Sequence, residues 1–392
     1  MNILGMFQNL PTTVWDKPVV GLFLALMWRL KRKVVLFSEI ICGASDFEFP
    51  MAPDDKRVLL VEANTCHAEV LSGLAKYLVE LGYRVDVLVN NADSADVFCR
   101  FTSDKVKVFV LHTEHIGYVL RNKRAAYFKR VVIASYHLYY FAPRHTQAVP
   151  IETYFKGFNI ARTAPVCMLH DPRFPDSSYL ASGRLISLAN MPHHGRPSPG
   201  VVNSHYFGEV RPHLKSTPCR FTIIGRVNLA RGTDAICEAC EHLFAARRKN
   251  FKVHVVGAGQ FVIPEKYQDH IEFHGRMPWE VMFKLLDECD FILAMLDPQN
   301  PLHDIYSRKS SGIYNLSLGF AKPILIHEKF LKISNFSEAT SVIYGDADGL
   351  GEAMLRAVEM SSGDYAAMTS ELAALSEKIN RESLQNLAKL LS

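Results

Sequence analysis

Short apolar runs alternate with stretches of helical spacing along most of this chain. RVLLVEA (57–63) is a strand pattern, AEVLSGLAKYLVEL (68–81) carries its apolar residues at helical spacing, and YRVDVLV (83–89) is a second strand after Gly82. That order is a βαβ unit. Further apolar strand segments fall at 106–111, 130–135, 164–169 and 184–189. Near-continuous apolar strands separated by helical or loop segments indicate a parallel sheet covered on both faces. The stretch 190–218 is rich in Pro, Gly and His and has no sustained periodicity, so it reads as a hinge. Beyond it the rhythm restarts. Strands are expected at 220–225, 251–257, 271–275, 290–296 and 322–327, helices at 232–248, 278–289 and 310–319, and two amphipathic helices at about 348–360 and 364–391. The pattern predicts an α/β chain with a domain over 51–210 and another over 211–392, following an extension over 1–50. In such sheets ligands bind beyond the carboxyl ends of the strands, so the cleft between the two halves is the expected site.

Composition adds bounds. A length of 392 residues suits two domains, each able to bury a core, and 48% hydrophobic with 21% charged residues is a globular balance. The formal charge of +4, from 44 basic and 40 acidic residues, is too near balance for a dedicated nucleic-acid binder. Eight scattered cysteines, several inside apolar runs, fit reduced core packing in a reducing cytoplasm. Cys237 and Cys240 have metal-pair spacing, but they lie in a helical pattern with no second CxxC or His pair, which favours packing. Near the amino terminus an apolar run from Pro18 to Trp28 precedes Arg29, Lys31, Arg32 and Lys33. Eleven residues are too few to span a bilayer, and the order of charge and apolar run is wrong for a signal peptide. Residues 18–33 are therefore expected to form a peripheral membrane contact or a helix packed on the protein's own surface; a compact domain could also begin at Met51.

Several polar clusters fall where strands end. FTIIGRVNLARGTD (221–234) runs from a strand into Gly225, Arg226 and Arg231, ahead of a helix starting near Thr233. Two guanidiniums five residues apart can bracket a diphosphate, although two solvent-facing arginines would read the same way. Gly257 and Gly259 in HVVGAG would let backbone approach a ligand, as would a plain tight turn. Gly275, Arg276 and Met277 end the next strand, with Pro278 at a helix first turn, a loop that could contact a nucleobase. The densest group is His303, Asp304, Tyr306, Arg308, Lys309, Ser310 and Ser311, in a loop before the helix that carries Asn315. Ser310 or Ser311 would cap that helix, whose N–H groups attract phosphate, with Arg308 and Lys309 reinforcing; a capped helix with solvated charges is the alternative. In the first half, His67 with Glu69 follows the first strand and His170 with Asp171 follows a later one. His67 or Asp171 could act as general base for a hydroxyl, or each could be structural.

Together VNSHYFG, IIGRVNLARG, VHVVGAG, FHGRMPWEVM, DFILAMLDPQNPLHDIYS and SGIYNLSLGFAKPILI resemble glycosyltransferases of the GT-B architecture, similar to the bacterial group that builds capsules, exopolysaccharides and lipopolysaccharide. The resemblance spans about residues 55–392 and implies two Rossmann-like domains facing across a cleft. It implies transfer of a sugar from a nucleoside-diphosphate sugar to a lipid-linked or growing polysaccharide acceptor, at the inner face of the cytoplasmic membrane. Arg226 and Arg231 would hold the donor diphosphate, the loop after Gly275 the base, and the region 303–315 the sugar and phosphates. His67, Asp171 or Asp304 would be catalytic, with Glu69 and His170 on the acceptor side. No metal and no cofactor besides the donor are implied. One departure stands out. Retaining relatives often carry two glutamates eight residues apart, whereas Ser307 and Asn315 stand here, so retention or inversion is left open. A nucleotide-sugar 2-epimerase and a non-catalytic partner subunit are the other two readings.

Overall fold

The computed structural model describes residues 47–64, 67–136, 139–140, 149–150, 165–170, 184–191, 200–225, 233–346 and 349–392. The chain divides into residues 1–48 and a body over 49–392, which is described below.

The body holds two six-stranded parallel sheets. The first is built from β1 (Asp54–Glu62), β2 (Arg84–Val89), β3 (Val106–Val110), β4 (Phe128–Tyr136), β7 (Val166–Leu169) and β8 (Arg184–Ser187), in the order β3-β2-β1-β4-β7-β8. The short β5 (Tyr139–Tyr140) and β6 (Val149–Pro150) form a separate antiparallel pair. The second sheet contains β9 (Cys219–Ile224), β10 (Phe251–Val256), β11 (Ile271–Gly275), β12 (Phe291–Leu293), β13 (Ile324–His327) and β14 (Ser341–Tyr344), in the order β11-β10-β9-β12-β13-β14. Both orders reverse direction next to the first strand, which is the doubly wound pattern with a crevice at the switch point. Val58 to Val61 and Phe291 to Leu293 are buried throughout, as strands covered on both faces must be.

Helices α1 (Leu71–Glu80), α2 (Ala92–Ala95) and α3 (Thr113–Arg121) belong to the first half. The second half contributes α4 (Thr233–Ala245), α5 (Trp279–Glu288), α6 (Gly312–Phe320), α7 (Leu331–Ser334), α8 (Gly349–Glu359) and α9 (Ser362–Leu391). The helix expected over 68–81 divides into a 3₁₀ turn, Ala68–Val70, and α1. Strand β14 and helix α3 lie outside the expected set.

The longest helix ties the halves together. Leu372, Ile379, Leu387 and Leu391 of α9 belong to a core cluster that draws residues from both halves. Ser383 accepts from the Asn203 backbone N–H at 3.0 Å, Asn380 accepts from the Tyr77 hydroxyl at 2.6 Å, and Asn386 donates to the Val201 carbonyl at 2.9 Å. A second clasp is Arg100, which forks onto Asp287 of α5 and lies over the rings of Phe283 and Phe320 at 5.4 and 5.5 Å. A bidentate, largely buried Arg–carboxylate pair fixes orientation as well as charge. Gly319 of α6 is close against the hinge, where a Cβ would meet the His205 carbonyl oxygen at 2.1 Å. Among the described residues no helix is long and apolar enough to cross a membrane.

Candidate active site

The carboxyl ends of both sheets open on one cleft of about 790 Å³, well inside the range of about 300–1,000 Å³ usual for small-molecule sites. Its floor is backbone. Gly225 follows β9 and Gly257 follows β10, and a Cβ on Gly257 would fall 1.6 Å from the Gly225 carbonyl oxygen. Gly257 also has φ of 152°, so a side chain is excluded there twice over. The strand ends are bare, and a ligand can rest on them.

The second half supplies one wall. Arg276, Met277, Pro278 and Trp279 line it between β11 and α5, and Lys309, Ser310, Ser311 and Gly312 line it at the start of α6. Ser311 occupies the N-cap position of α6 with extended backbone, yet its side chain makes no capping hydrogen bond. The expected serine cap is therefore absent, and the hydroxyl and the positive helix end face the cleft together. One turn further in, Asn315 lines the same wall; it is 1% exposed, and its Oδ1 has no hydrogen-bond partner. A buried, unsatisfied amide oxygen costs stability unless a donor arrives, so it marks a position where a ligand hydroxyl would bond. Lys309 Nζ lies 5.2 Å from the Tyr306 ring, which also lines the cleft and steadies the ammonium by a cation–π contact.

The first half supplies a wall of titratable groups. His67 has a left-handed backbone with φ of 70°, which turns the chain sharply after β1 and aims the imidazole at the cleft. Its Nδ1 lies 3.4 Å from Glu69 Oε1, and its ring lies 4.3 Å from that of His170. His170 is buried; its Nε2 lies 2.8 Å from the Ala134 carbonyl and 3.2 Å from Ser135 Oγ. A carbonyl can only accept, so this nitrogen carries the proton. Ser135 in turn donates to Glu62 Oε2, and the Asn64 N–H donates to Glu62 Oε1 at 2.8 Å. Complete burial pushes the Glu62 carboxyl up to about 8, so it retains its proton at neutral pH. A connected line of groups, Glu62, Ser135, His170, His67 and Glu69, thus runs from the core to the cleft.

Two contacts reach across. Arg276 pairs with Asp93 of α2 at 3.0 Å, at the exposed mouth. Glu69 approaches the start of α6, where a Cβ on Gly312 would stand 3.1 Å from its Oε1. A carboxylate at a helix N-terminus occupies the place that suits any anion.

The cleft brings together His67, Glu69, His170, Gly225, Gly257, Arg276, Met277, Tyr306, Lys309, Ser310, Ser311 and Asn315. It does not bring in Gly259, His303, Asp304 or Arg308. His303 is buried and accepts the Asp297 N–H at 2.8 Å on Nδ1, a structural bond. Asp304 lies on a 3₁₀ helix, Pro301–Ser307, rather than in an open loop, and pairs with Lys329 at 2.8 Å, which holds its carboxyl below the usual range. Arg226, Arg231 and Asp171 lie outside the described residues, as does the segment 18–33. Cys240 is buried in the core of the second half and Cys237 packs against it. Burial pushes the Cys240 thiol up to about 12 and raises that of Cys237. Glu62, Ser135 and Asp93 were not singled out by sequence reasoning; a charged residue closing the apolar run of β1 was the available signal for Glu62.

No family model and no curated protein sequence matches the chain. Solved structures do. A glycosyltransferase from Rickettsia africae aligns over 86% of this chain and 97% of its own, at 10% identity and TM-score 0.55. TarM aligns over 88% and 99%, at 8% identity and TM-score 0.51. Anabaena HepE, solved in complex with UDP and glucose, aligns over 86% and 99%, at 14% identity and TM-score 0.50. With its two parallel sheets in the same doubly wound order, the chain has the GT-B fold of these glycosyltransferases.

Proposed function

We propose that the chain is a glycosyltransferase that moves a sugar from a nucleoside-diphosphate donor to a hydroxyl of a lipid-linked or growing polysaccharide acceptor in cell-surface glycan synthesis. One observation carries this reading: the α6 end with Lys309, Ser311 and Asn315 faces His67 and Glu69 across a single cleft. The bound UDP and glucose of the similar HepE fold support a donor of this class.

In the proposed reaction the diphosphate rests against the start of α6 and Lys309, with Arg226 and Arg231 as further cations. Trp279 and Met277 offer apolar surface to the base. His67 takes the proton of the acceptor hydroxyl, and Glu69 orients its Nδ1 side. The acceptor oxygen bonds to the anomeric carbon as the bond to the diphosphate oxygen breaks, and the negative charge that develops there meets the helix end and Lys309. The dyad of His67 and Glu69, together with an amide at Asn315 where retaining relatives carry a carboxylate, favours direct displacement with inversion. The basic segment 29–33 behind the apolar run 18–28 would hold the enzyme peripherally on an anionic leaflet at the cytoplasmic face, near its acceptor.

A panel of nucleotide sugars, followed for diphosphate release and for the anomeric configuration of the product, tests this directly. Release with an inverted product is expected. A changed sugar configuration on an intact nucleotide would replace the reading with an epimerase, and no nucleotide binding at all would leave a non-catalytic subunit.

A further inference from the structure

Away from the cleft wall, on strands β10 and β11, lies a cluster that the proposed transfer reaction does not use. We propose that His254, Glu272 and His274 form a binding site for a divalent transition-metal ion, with Zn²⁺ the best fit to the donor set. His254 Nδ1 lies 3.1 Å from His274 Nε2 and 3.5 Å from Glu272 Oε2, and one donor atom from each residue falls within 4.8 Å of the others. Zinc bonds of about 2.0–2.1 Å in tetrahedral geometry place neighbouring donors about 3.3 Å apart. The observed separations fall on either side of that value. Two imidazoles and one carboxylate are a donor set zinc takes with a fourth position left for water.

The backbone positions these groups in advance. His254 and Glu272 are direct partners in the parallel register of β10 and β11. His274 is two residues beyond Glu272, on the same strand face. A register break between Val255 and Val256 leaves His274 without a ladder partner on β10 and carries it alongside His254. The two histidines are about four-fifths buried, at 17% and 19% exposure, while Glu272 is open to solvent at 64%, which gives an ion a way in. Of the nearby cations, Arg220 pairs with Glu288 at 3.1 Å and Lys252 donates to the Asp269 carbonyl. Glu272 supplies the negative charge that favours a cation. An ion there would tie the edge strand β11 to β10 directly behind Gly275, Arg276 and Met277.

The test uses the full chain, freed of metal by chelator and dialysis, with Zn²⁺ titrated by calorimetry and Co²⁺ followed by its visible absorption. Stoichiometric Zn²⁺ uptake and the intense absorption bands of tetrahedral Co²⁺ are expected. His254→Gln and His274→Gln should each lower Zn²⁺ affinity beyond the roughly 10–100-fold that loss of a mere outer partner costs. Glu272→Gln should lower it at least about tenfold, and His242→Gln, at the exposed His242–Glu352 pair, should not change it. If either histidine variant fails to fold by circular dichroism, Glu272→Gln decides, because its side chain is 64% exposed. No uptake by the wild-type chain, or unchanged affinity in Glu272→Gln, would overturn the site and leave a hydrogen-bonded imidazole pair.

Discussion

The two halves of the body share a strand order but present opposite chemistry at the ends of their first strands. β1 closes on Glu62, buried and holding a proton, and the chain then turns through His67 toward the cleft. β9 is followed by Gly225, packed against Gly257 with no side chain between them, and the wall beside it is a helix end with a lysine. One scaffold thus carries a wall suited to moving a proton and a wall suited to holding an anion. The difference lies in a few side chains at the strand ends, since the sheets themselves are interchangeable in topology. A glycosyl transfer needs both, a group to take the acceptor proton and a place for the charge of the departing diphosphate.

The sharpest way to break this division is His67→Ala. If the first half handles the proton, kcat should fall by about 10²–10⁴ while nucleotide affinity measured by calorimetry stays within about twofold. Equal loss of both would place His67 on the donor and erase the contrast between the walls.

On the other wall, Arg231→Ala and Lys309→Ala should each weaken nucleoside-diphosphate binding by about tenfold or more, since a hydrogen bond to a charged group contributes about 1.5–3 kcal/mol. Turnover at saturating donor should fall less than in His67→Ala. Gly257→Ala is expected to act through the floor rather than through charge. Its Cβ meets a backbone carbonyl that cannot swing aside, so strand ends must shift, at a cost of about 1–3 kcal/mol in unfolding free energy. Wild-type stability and wild-type nucleotide affinity in that variant would mean that the bare floor is incidental.

Apolar periodicity made both sheets and most helices legible, because burial on a strand or helix face is a local pattern. β14 follows a loop of mixed polarity, and its SVIY has only two aliphatic residues between Ser341 and Tyr344, so it does not stand out as an apolar run. What periodicity could not report was which distant residues meet. Glu62, Ser135 and His170 come from three different strands, and their hydrogen bonds exist only once β1, β4 and β7 are aligned. His254 and His274 likewise become neighbours only through the register of β10 and β11. Residue type also misled at Ser311, which stands where a cap belongs but does not bond as one, and at Asp304, whose 3₁₀ helix takes it to Lys329. The long α9 was visible as a helix, yet nothing in its spacing says that it packs on the other half.

The smallest expected effect separates the halves by pH. Glu62 has an ordinary carboxyl value of 4.5 when unfolded and about 8 when folded. Its folded form favours the proton, so the stability it contributes is fully present below about 4.5 and is lost as pH rises through about 8. Asp290, in the second half, behaves in the opposite sense. Burial pushes its carboxyl up, but His213 at 2.8 Å and the N–H groups of Ser216 and Arg220 at 2.8 and 2.7 Å outweigh that and hold it below its ordinary 3.8. Its contribution is present above that value and is lost only as pH falls through the folded one. Between pH 6 and 8, therefore, only Glu62 of these two carboxyls changes its contribution. Thermal unfolding of the wild type should move to lower temperature across that window, by a few degrees in Tm. Glu62→Gln, which keeps the shape and cannot ionise, should flatten the dependence and be the more stable protein at pH 8, whereas Asp290→Asn should leave the slope between pH 6 and 8 unchanged. An equal slope in Glu62→Gln would mean that the Glu62 carboxyl is already ionised in the folded state, and the line of groups from Glu62 to His67 would then carry a negative charge at its buried end.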